Sequence, residues 1–367
     1  MVLNSKGQVT IPAHLRAKHN LHEGDEVEAV EVGGALRIVR AEGAGTRGQR
    51  LASAARRAGG RAGAGGGILR CMASNPSARP GSAAGAGSAA ALGRGATLIT
   101  VAPTGAEAGK AAVPALPASL GELVTTAKEC QAAGAAVIHV HIRDAEARPT
   151  LDPVRLRETV AALRESTSLV VQLSTGGAVT DTFGDRLAVL DAAPDACSLT
   201  CGTVNFGDEV FANPWPFIRE LYARTRELGV VPEFELFDLG HVATLHRLLD
   251  EEGTPAGGRV HCDLVMGVPG GMPGDAATLV AAVSALPPGA TWSATGIGRT
   301  SLPVMFGALA AGGHLRVGME DTLSYARGRP VTGNAELVER AAELARLAQR
   351  PPMSAADART FLGISQR

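Results

Sequence analysis

From residue 98 onwards, eight short apolar runs alternate with eight amphipathic segments of helical length. Short apolar runs that are rich in β-branched residues and bounded by turn residues are typical of buried parallel strands. The runs are Leu98–Ala102, Ala136–Ile142, Leu169–Ser174, Ala196–Thr200, Val231–Leu236, Val260–Met266, Thr291–Gly296 and His314–Met319. Eight strand–helix units in about 250 residues have the count and the size of a TIM (β/α)8 barrel, an α/β fold. A doubly wound sheet is the alternative, but that fold needs no eighth unit.

The segments between the runs have the period of helices that pack on a sheet through one face. They are Leu120–Ala133, Pro153–Glu165, Asp185–Leu190, Pro216–Leu228, Val242–Glu251, Ala276–Leu286, Leu302–Ala311 and Asn334–Ala348. A further short helix is predicted over Ser354–Leu362, with Ser354 as its N-cap. These boundaries assign the barrel domain to residues 97–367.

The first 96 residues differ from the barrel and divide into two parts. Residues 1–40 contain a strand-like phrase, SKGQVTIP, and the alternating pattern of a hairpin around Gly33-Gly34. Residues 41–96 consist mainly of Ala, Gly, Arg and Ser and have no hydrophobic period. Such a segment cannot bury enough apolar surface to offset the entropy of ordering. We therefore expect a small β-rich unit, then a disordered linker, and then the barrel.

Composition excludes several classes of function. The net charge is −1, so no overall field attracts nucleic acid or an anionic membrane, and aromatic residues make up only 3%, too few for base-stacking platforms. No run of about 18 apolar residues and no signal-peptide core is present, so we expect a cytoplasmic protein without a membrane partner. The cysteines form no C-x-x-C pair, which is typical of reduced thiols. They are Cys71, Cys130, Cys197, Cys201 and Cys262.

His139 and His141 stand two positions apart in the second predicted strand, so their side chains project from the same face. Two imidazoles placed in this way can reach one cation, although two structural histidines in a core strand are the alternative. Glu320, after the strand next to the first, is the candidate for a third ligand, and Glu235 is its rival. A His₂-carboxylate set with an open position favours Zn²⁺ and also suits Fe²⁺ or Mn²⁺.

The active site of a barrel lies at the carboxyl ends of its strands, and these ends carry polar side chains here. Outside the metal set, the candidate site residues are Glu107, Ser174, Glu235, Arg299, Arg316 and Asp321. Arg299 follows Gly296 and Gly298 after the seventh strand, where backbone donors and an arginine can hold phosphates. A tight turn between strand and helix is the alternative there.

From about Leu98 to Ile364 the chain resembles the β-keto acid cleavage enzymes, in particular the 3-keto-5-aminohexanoate cleavage enzymes of that family. The motifs that carry the resemblance are TGAE, AGAAVIHVHIRD, QLSTGGAV, GTVNFGDEVF, VPEFELFD, LVMGVPGGM, TWSATGIGR, GGHLRVGMEDT and NAELVERAAELAR. The resemblance implies a TIM barrel, a homotetramer and a divalent metal, typically Zn²⁺. It also implies the conversion of a β-keto acid and acetyl-CoA into acetoacetate and a new CoA thioester.

The resemblance assigns roles to residues of this sequence. It implies that His139, His141 and Glu320 hold the metal. Asp321 matches the general base, and Arg316 matches the arginine that assists it. The substrate-binding positions that it implies are Ser174, Glu235 and Glu107. The last of these matches a carboxylate that faces the tail of the substrate and is associated with amino-bearing substrates.

The phrases SKGQVTIPAHLR and LHEGDEVEAVEVGGALRIV, within residues 1–40, resemble the AbrB/SpoVT swapped-hairpin DNA-binding domain. The resemblance implies an intertwined dimer that contacts DNA through residues such as Lys6 and Arg16. A hairpin that only dimerises, or a degraded remnant of such a domain, is the alternative.

Two other functions compete with the enzyme suggested by the barrel. One is a DNA-binding regulator whose barrel serves as a sensor. The other is a metal-dependent hydrolase of the amidohydrolase type, which needs further histidines at the ends of its fifth and sixth strands. His261 stands at the start of the sixth run and His241 has no partner, so the hydrolase pattern is incomplete.

Overall fold

The computed structural model describes residues 27–32, 35–40 and 95–366. It divides into two compact units, Met1–Ala78 and Arg79–Arg367. In the first unit, β1 (Val27–Val32) and β2 (Ala35–Arg40) pair as an antiparallel hairpin. Lys6, Arg16 and most of the predicted linker lie outside the described residues, so the expectations for residues 1–96 stay predictions.

In the second unit, eight parallel strands close into a barrel in chain order, and the last strand pairs with the first. They are β3 (Ile99–Val101), β4 (Val137–Val140), β7 (Val170–Leu173), β8 (Ala196–Thr200), β11 (Val231–Leu236), β12 (His261–Met266), β13 (Thr291–Gly296) and β14 (His314–Val317). The predicted TIM barrel is confirmed, and the doubly wound alternative is wrong because the sheet has no open edge.

Three short hairpins rise from the loops that follow these strands. They are formed by β5 (Ile142–Arg143) with β6 (Pro149–Thr150), β9 (Val204–Phe206) with β10 (Glu209–Phe211), and β15 (Ser324–Ala326) with β16 (Arg329–Pro330). The predicted strand Ala136–Ile142 therefore ends at Val140, and the chain leaves the barrel after His141. The first hairpin lies directly beside the two histidines.

The helices surround the barrel. They are α1 (Leu120–Ala133), α2 (Pro153–Ser166), α3 (Phe183–Ala188), α4 (Trp215–Leu228), α5 (Leu239–Glu252), α6 (Ala276–Ala285), α7 (Ser301–Ala310), α8 (Asn334–Leu347) and α9 (Ala355–Leu362). Within residues 95–366 no helix has the length and apolar character that a membrane span requires.

Side-chain caps explain where two helices depart from the predicted boundaries. Asp238 accepts a hydrogen bond from the His241 amide at 2.9 Å, so α5 begins three residues before the apolar period does. Thr182 caps α3 in the same way, and that helix ends early in a 3₁₀ turn over Val189–Ala192. Ser354 is the N-cap of α9, as predicted.

The amino end of the barrel is closed by α9. Phe361 packs edge-on against the rings of His261 and His314, and burial lowers the pKa of His261 to about 3, which keeps that ring neutral. The Nδ1 atom of His314 accepts a hydrogen bond from the Leu98 amide at 3.0 Å. These two histidines therefore belong to the structural end of the barrel, opposite the end where barrel enzymes carry their site.

Candidate active site

A cavity of about 280 Å³ opens at the carboxyl ends of the barrel strands. Its polar lining consists of Glu107, His139, His141, Ser174, Glu235, Arg316, Glu320 and Asp321. The structure thus brings together residues from five strands or strand ends that are far apart in the sequence. Of the predicted site residues, only Arg299 is missing from the lining.

Three donors converge at the floor of the cavity. The Nε2 atoms of His139 and His141 lie 3.3 Å apart, and Oε1 of Glu320 lies 3.8 Å and 3.6 Å from them. Of the residues described, these three alone form a cluster with ligand atoms within 4.8 Å of one another. Oε2 of Glu320 is buried without a hydrogen-bond partner in the described part of the chain. An unpaired buried carboxylate oxygen beside two imidazoles fits a divalent metal.

The rival carboxylate lies elsewhere in the cavity. Glu235 accepts hydrogen bonds from Thr200 at 2.8 Å and from Nη1 of Arg316 at 3.1 Å. Both of its oxygens are therefore committed to protein donors. The geometry favours Glu320 as the third donor.

A tight turn after β14 presents the acidic pair. The amide of Glu320 donates to the carbonyl of Ala102 at 3.1 Å, which anchors the turn to the end of β3. Gly318 makes this approach possible, since a Cβ atom there would lie 1.9 Å from the same carbonyl oxygen. A glycine at position 318 is therefore required for the turn that delivers both carboxylates into the site.

Arg316 is the buried centre of a carboxylate cluster. Its Nη2 atom donates to Glu320 and, at 3.1 Å, to Oδ1 of Asp321, and its Nη1 atom lies 3.8 Å from Asp263. Burial opposes the charge of Arg316, but these carboxylates, Asp321 first, raise its pKa well above the usual value. The guanidinium remains a cation and holds the carboxylates in fixed positions.

Glu320 and Asp321 are adjacent but differ in their proton affinity. Burial opposes ionisation of Glu320, but Arg316 and the two histidines hold its pKa well below the usual range. Burial raises the pKa of Asp321 to about 7, against the effect of Arg316. One carboxylate is suited to bind a cation, and the other is suited to exchange a proton.

The buried residues that hold the site residues in place by hydrogen bonds were not predicted from the sequence. Gln172 links Nδ1 of His139 to Glu233, and Asp263 accepts a hydrogen bond from Thr295 at 2.7 Å. The sequence did offer a hint, because Glu233 and Asp263 are acidic residues within mainly apolar strands. Their partners could not be read from the sequence because each lies on another strand.

The remaining candidates lie in different places. Ser174 is buried, lines the cavity and donates to the carbonyl of Gly176 at 2.7 Å. Glu107 is exposed at the mouth. Arg299 is exposed on a 3₁₀ turn and does not line the cavity, so a role for it stays a prediction. Buried Arg143 donates to the carbonyls of the loop that carries Glu107.

The rest of the cavity lining forms an apolar wall. Phe206, Phe211 and Phe237 line it together with aliphatic side chains. The guanidinium of Arg186 lies 4.6 Å from the ring centre of Phe211 and holds that ring from behind. The wall offers an apolar surface to the part of a ligand that points away from the donors.

Comparison with known proteins agrees with this geometry. Residues 96–364 match the family described as beta-keto acid cleavage enzyme, and residues 2–46 match the family described as antidote-toxin recognition MazE, bacterial antitoxin. The chain is 37% identical to the 3-keto-5-aminohexanoate cleavage enzyme of Acetoanaerobium sticklandii over 73% of this chain and 98% of that protein. It is 32% identical to the 3-oxoadipate:acetyl-CoA acetyltransferase of Cupriavidus necator over 73% and 94%.

A solved structure has the same fold. The apo structure of ObcA is similar with a TM-score of 0.59 and 20% identity, covering 69% of this chain and 66% of that one. At this identity the likeness bears on the fold alone. The family resemblance that the motifs indicated is confirmed by the matches over residues 96–364.

Proposed function

The chain belongs to the beta-keto acid cleavage enzyme family, and from this premise we propose that its barrel exchanges acyl groups between a β-keto acid and acetyl-CoA. The products are acetoacetate and the CoA thioester of the remaining acyl group. The observation that carries the proposal is the single cavity in which His139, His141 and Glu320 lie beside Asp321 and Arg316.

His139, His141 and Glu320 would hold the metal, and we propose Zn²⁺ because nitrogen and carboxylate donors with an open position suit that ion. When bound, it would act as a Lewis acid towards the oxygens of the β-keto acid and stabilise negative charge on them. The buried and unpaired oxygen of Glu320 supports this assignment. Fe²⁺ and Mn²⁺ are the other candidates.

The protein groups around these donors can perform the proton transfer. Asp321 takes a proton from the carbon between the keto and carboxylate groups, and that carbon then attacks the thioester carbonyl of acetyl-CoA. The CoA thiolate released in that step next adds to the keto carbon of the original acid. The bond between this carbon and the central carbon breaks, the central carbon takes the proton back from Asp321, and acetoacetate leaves. Arg316 holds Asp321 in place, and Ser174 offers a hydroxyl to the substrate. No covalent link to the protein is needed.

An isotope experiment tests this reaction. We expect that acetyl-CoA labelled with ¹³C in its acetyl group will give acetoacetate labelled in C3 and C4, with one new acyl-CoA formed per acetoacetate. The trial acids are 3-keto-5-aminohexanoate, 3-oxoadipate and 3-dehydrocarnitine, which the names of relatives contain, and unsubstituted 3-oxohexanoate. Release of free CoA without acetoacetate from every acid would contradict the proposal.

Glu107→Gln is expected to reduce kcat/KM for amino-bearing keto acids by about fivefold and to leave 3-oxohexanoate nearly unchanged. The reason is that Glu107 supplies a charge at the mouth of the cavity, and an ion pair at an exposed site contributes on the order of 1 kcal/mol. Kinetics with paired acids, with and without the amine, measure the difference. Glu209→Gln removes an exposed carboxylate from the neighbouring hairpin and is the matched control. Equal losses on both acids would remove Glu107 as the selector.

We propose a second activity for the amino-terminal unit, namely DNA binding by a dimer of residues 1–40. The match of residues 2–46 to an antitoxin family supports this proposal, and so does the hairpin of β1 and β2. Full-length protein is expected to bind duplex DNA with an affinity that falls steeply as salt rises, because basic side chains displace counterions from phosphates. Replacing both Lys6 and Arg16 by alanine should weaken binding. Absent or salt-insensitive binding would contradict the proposal.

A further inference from the structure

We propose that Gln172 and Glu233 form a buried relay that fixes the proton of His139 on Nδ1 and so presents the Nε2 lone pair to the metal. The inference rests on the metal site of the proposed function. It holds that two residues in contact with neither metal nor substrate increase the affinity of that site for the metal. Both are positioning residues that act through His139.

The relay is continuous and buried. Oε1 of Gln172 lies 2.6 Å from Nδ1 of His139, and Nε2 of Gln172 lies 2.8 Å from Oε2 of Glu233. The exposed fractions of the three residues are 1% for His139, 2% for Gln172 and 4% for Glu233. Water therefore does not compete for these hydrogen bonds, and each group depends on the next.

The barrel register aligns the three residues. His139 on β4 lies opposite Gln172 on β7 in the parallel ladder, so their side chains meet inside the barrel. Glu233 comes from β11, beyond β8, and reaches Gln172 across the interior. The relay is therefore built on three rigid strands, which suits a group that must hold a ligand ring in one orientation.

The chemistry of the amide gives the relay its direction. Burial raises the pKa of Glu233 to about 7, and the hydrogen bond from Gln172 acts against that rise. In its ionised form Glu233 only accepts hydrogen bonds, so it selects the NH₂ end of Gln172 and turns the amide oxygen towards His139. An amide oxygen also only accepts, so Nδ1 of His139 must carry the proton. The lone pair of the ring then lies on Nε2, the atom that faces His141 and Glu320.

The second histidine has no such support. In residues 95–366, no side chain forms a hydrogen bond with Nδ1 of His141, whose own side chain is 10% exposed. The protein therefore controls the tautomer at the deeper ligand, where a wrong tautomer would remove a donor from the site.

Metal affinity of the full-length protein tests the relay. The protein is stripped of metal and titrated with Zn²⁺ against a chromophoric chelator, and Co²⁺ is added separately to record its visible spectrum. Gln172→Leu is expected to weaken Zn²⁺ binding about 10–100-fold, the range that is typical when a partner of a ligating histidine is lost. Glu233→Leu is expected to weaken it as well, because the freed amide can then turn over.

Two further variants separate the relay from a general packing effect. Glu233→Gln replaces the carboxylate by an amide that can also donate, so it no longer selects one end of Gln172, and its Zn²⁺ affinity should fall between those of the parent and Gln172→Leu. The double variant Gln172→Glu with Glu233→Gln exchanges the two groups. Its carboxylate accepts from His139 and from the new amide, so it should recover the affinity and the Co²⁺ spectrum that Gln172→Leu loses.

The outcomes distinguish the relay from the metal site. Equal Zn²⁺ affinity of parent, Gln172→Leu and Glu233→Leu would overturn the relay and leave the metal site in place. Failure of the exchanged double variant to exceed Gln172→Leu, with both proteins folded by circular dichroism, would also overturn it. If the parent itself binds Zn²⁺ no better than His139→Ala, the metal assignment fails first, and the relay fails with it.

Discussion

Asp321→Asn is expected to lower kcat about 10²–10⁴-fold, which is the usual contribution of a positioned general base. The amide keeps the size of the side chain but cannot take a proton from the β-keto acid. Asp321 is 4% exposed, and its carboxylate is fixed by Nε and Nη2 of Arg316, so water cannot easily replace it. The metal donors are unaltered, so bound Zn²⁺ should remain stoichiometric.

Exchange of the acidic protons of the β-keto acid with D₂O, in the absence of acetyl-CoA, isolates the step assigned to Asp321. The enzyme is expected to accelerate this exchange, and Asp321→Asn should abolish the acceleration. Asp208→Asn makes the same chemical change at an exposed hairpin position and is the matched control. Exchange and kcat at parental levels in Asp321→Asn would show that another group is the base.

His139→Ala is expected to abolish both bound metal and acetoacetate formation. His139 is the deepest of the three donors, and without it one imidazole and one carboxylate remain, which is too few protein ligands for a stable Zn²⁺ site. Metal analysis of the purified variant and the ¹³C assay measure the two losses. Excess Zn²⁺ should restore little activity.

The control is His246→Ala, which removes an imidazole from α5 on the outside of the barrel and should leave metal content and activity unchanged. The same assays apply to both variants. Full activity of a metal-free His139→Ala protein would refute the assigned site and the proposed use of a metal. Retention of one metal ion per chain in that variant would point to a different set of ligands.

Local sequence patterns were sufficient to predict the barrel. Strand composition, helix period and caps depend on residues within one turn or one strand of each other, so Leu120–Ala133 and Thr291–Gly296 were predicted with the boundaries that the structure has. The boundaries of predicted elements differ only at their ends, as at α5, where the capping bond of Asp238 decides the first residue. The three hairpins in the loops after the strands were not predicted.

The partners within the site could not be predicted in the same way. His139 and Gln172 are 33 residues apart, and Gln172 and Glu233 are 61 apart. Their contacts exist only because closure and register of the barrel place β4, β7 and β11 around one interior. For Arg299 the sequence left a phosphate-binding loop and a tight turn open, and the structure places the residue exposed on a 3₁₀ turn outside the cavity lining.

The His-x-His motif shows which part of the metal site follows from the sequence and which part depends on the tertiary structure. By itself the sequence determined that His139 and His141 share a face, because side chains alternate along any strand. Only the tertiary structure decided that Glu320 rather than Glu235 faces them, since Arg316 and Thr200 occupy both oxygens of Glu235. The physical reason is that alternation is a property of one strand, whereas the choice of a third ligand depends on hydrogen bonds between strands that meet only when the barrel closes.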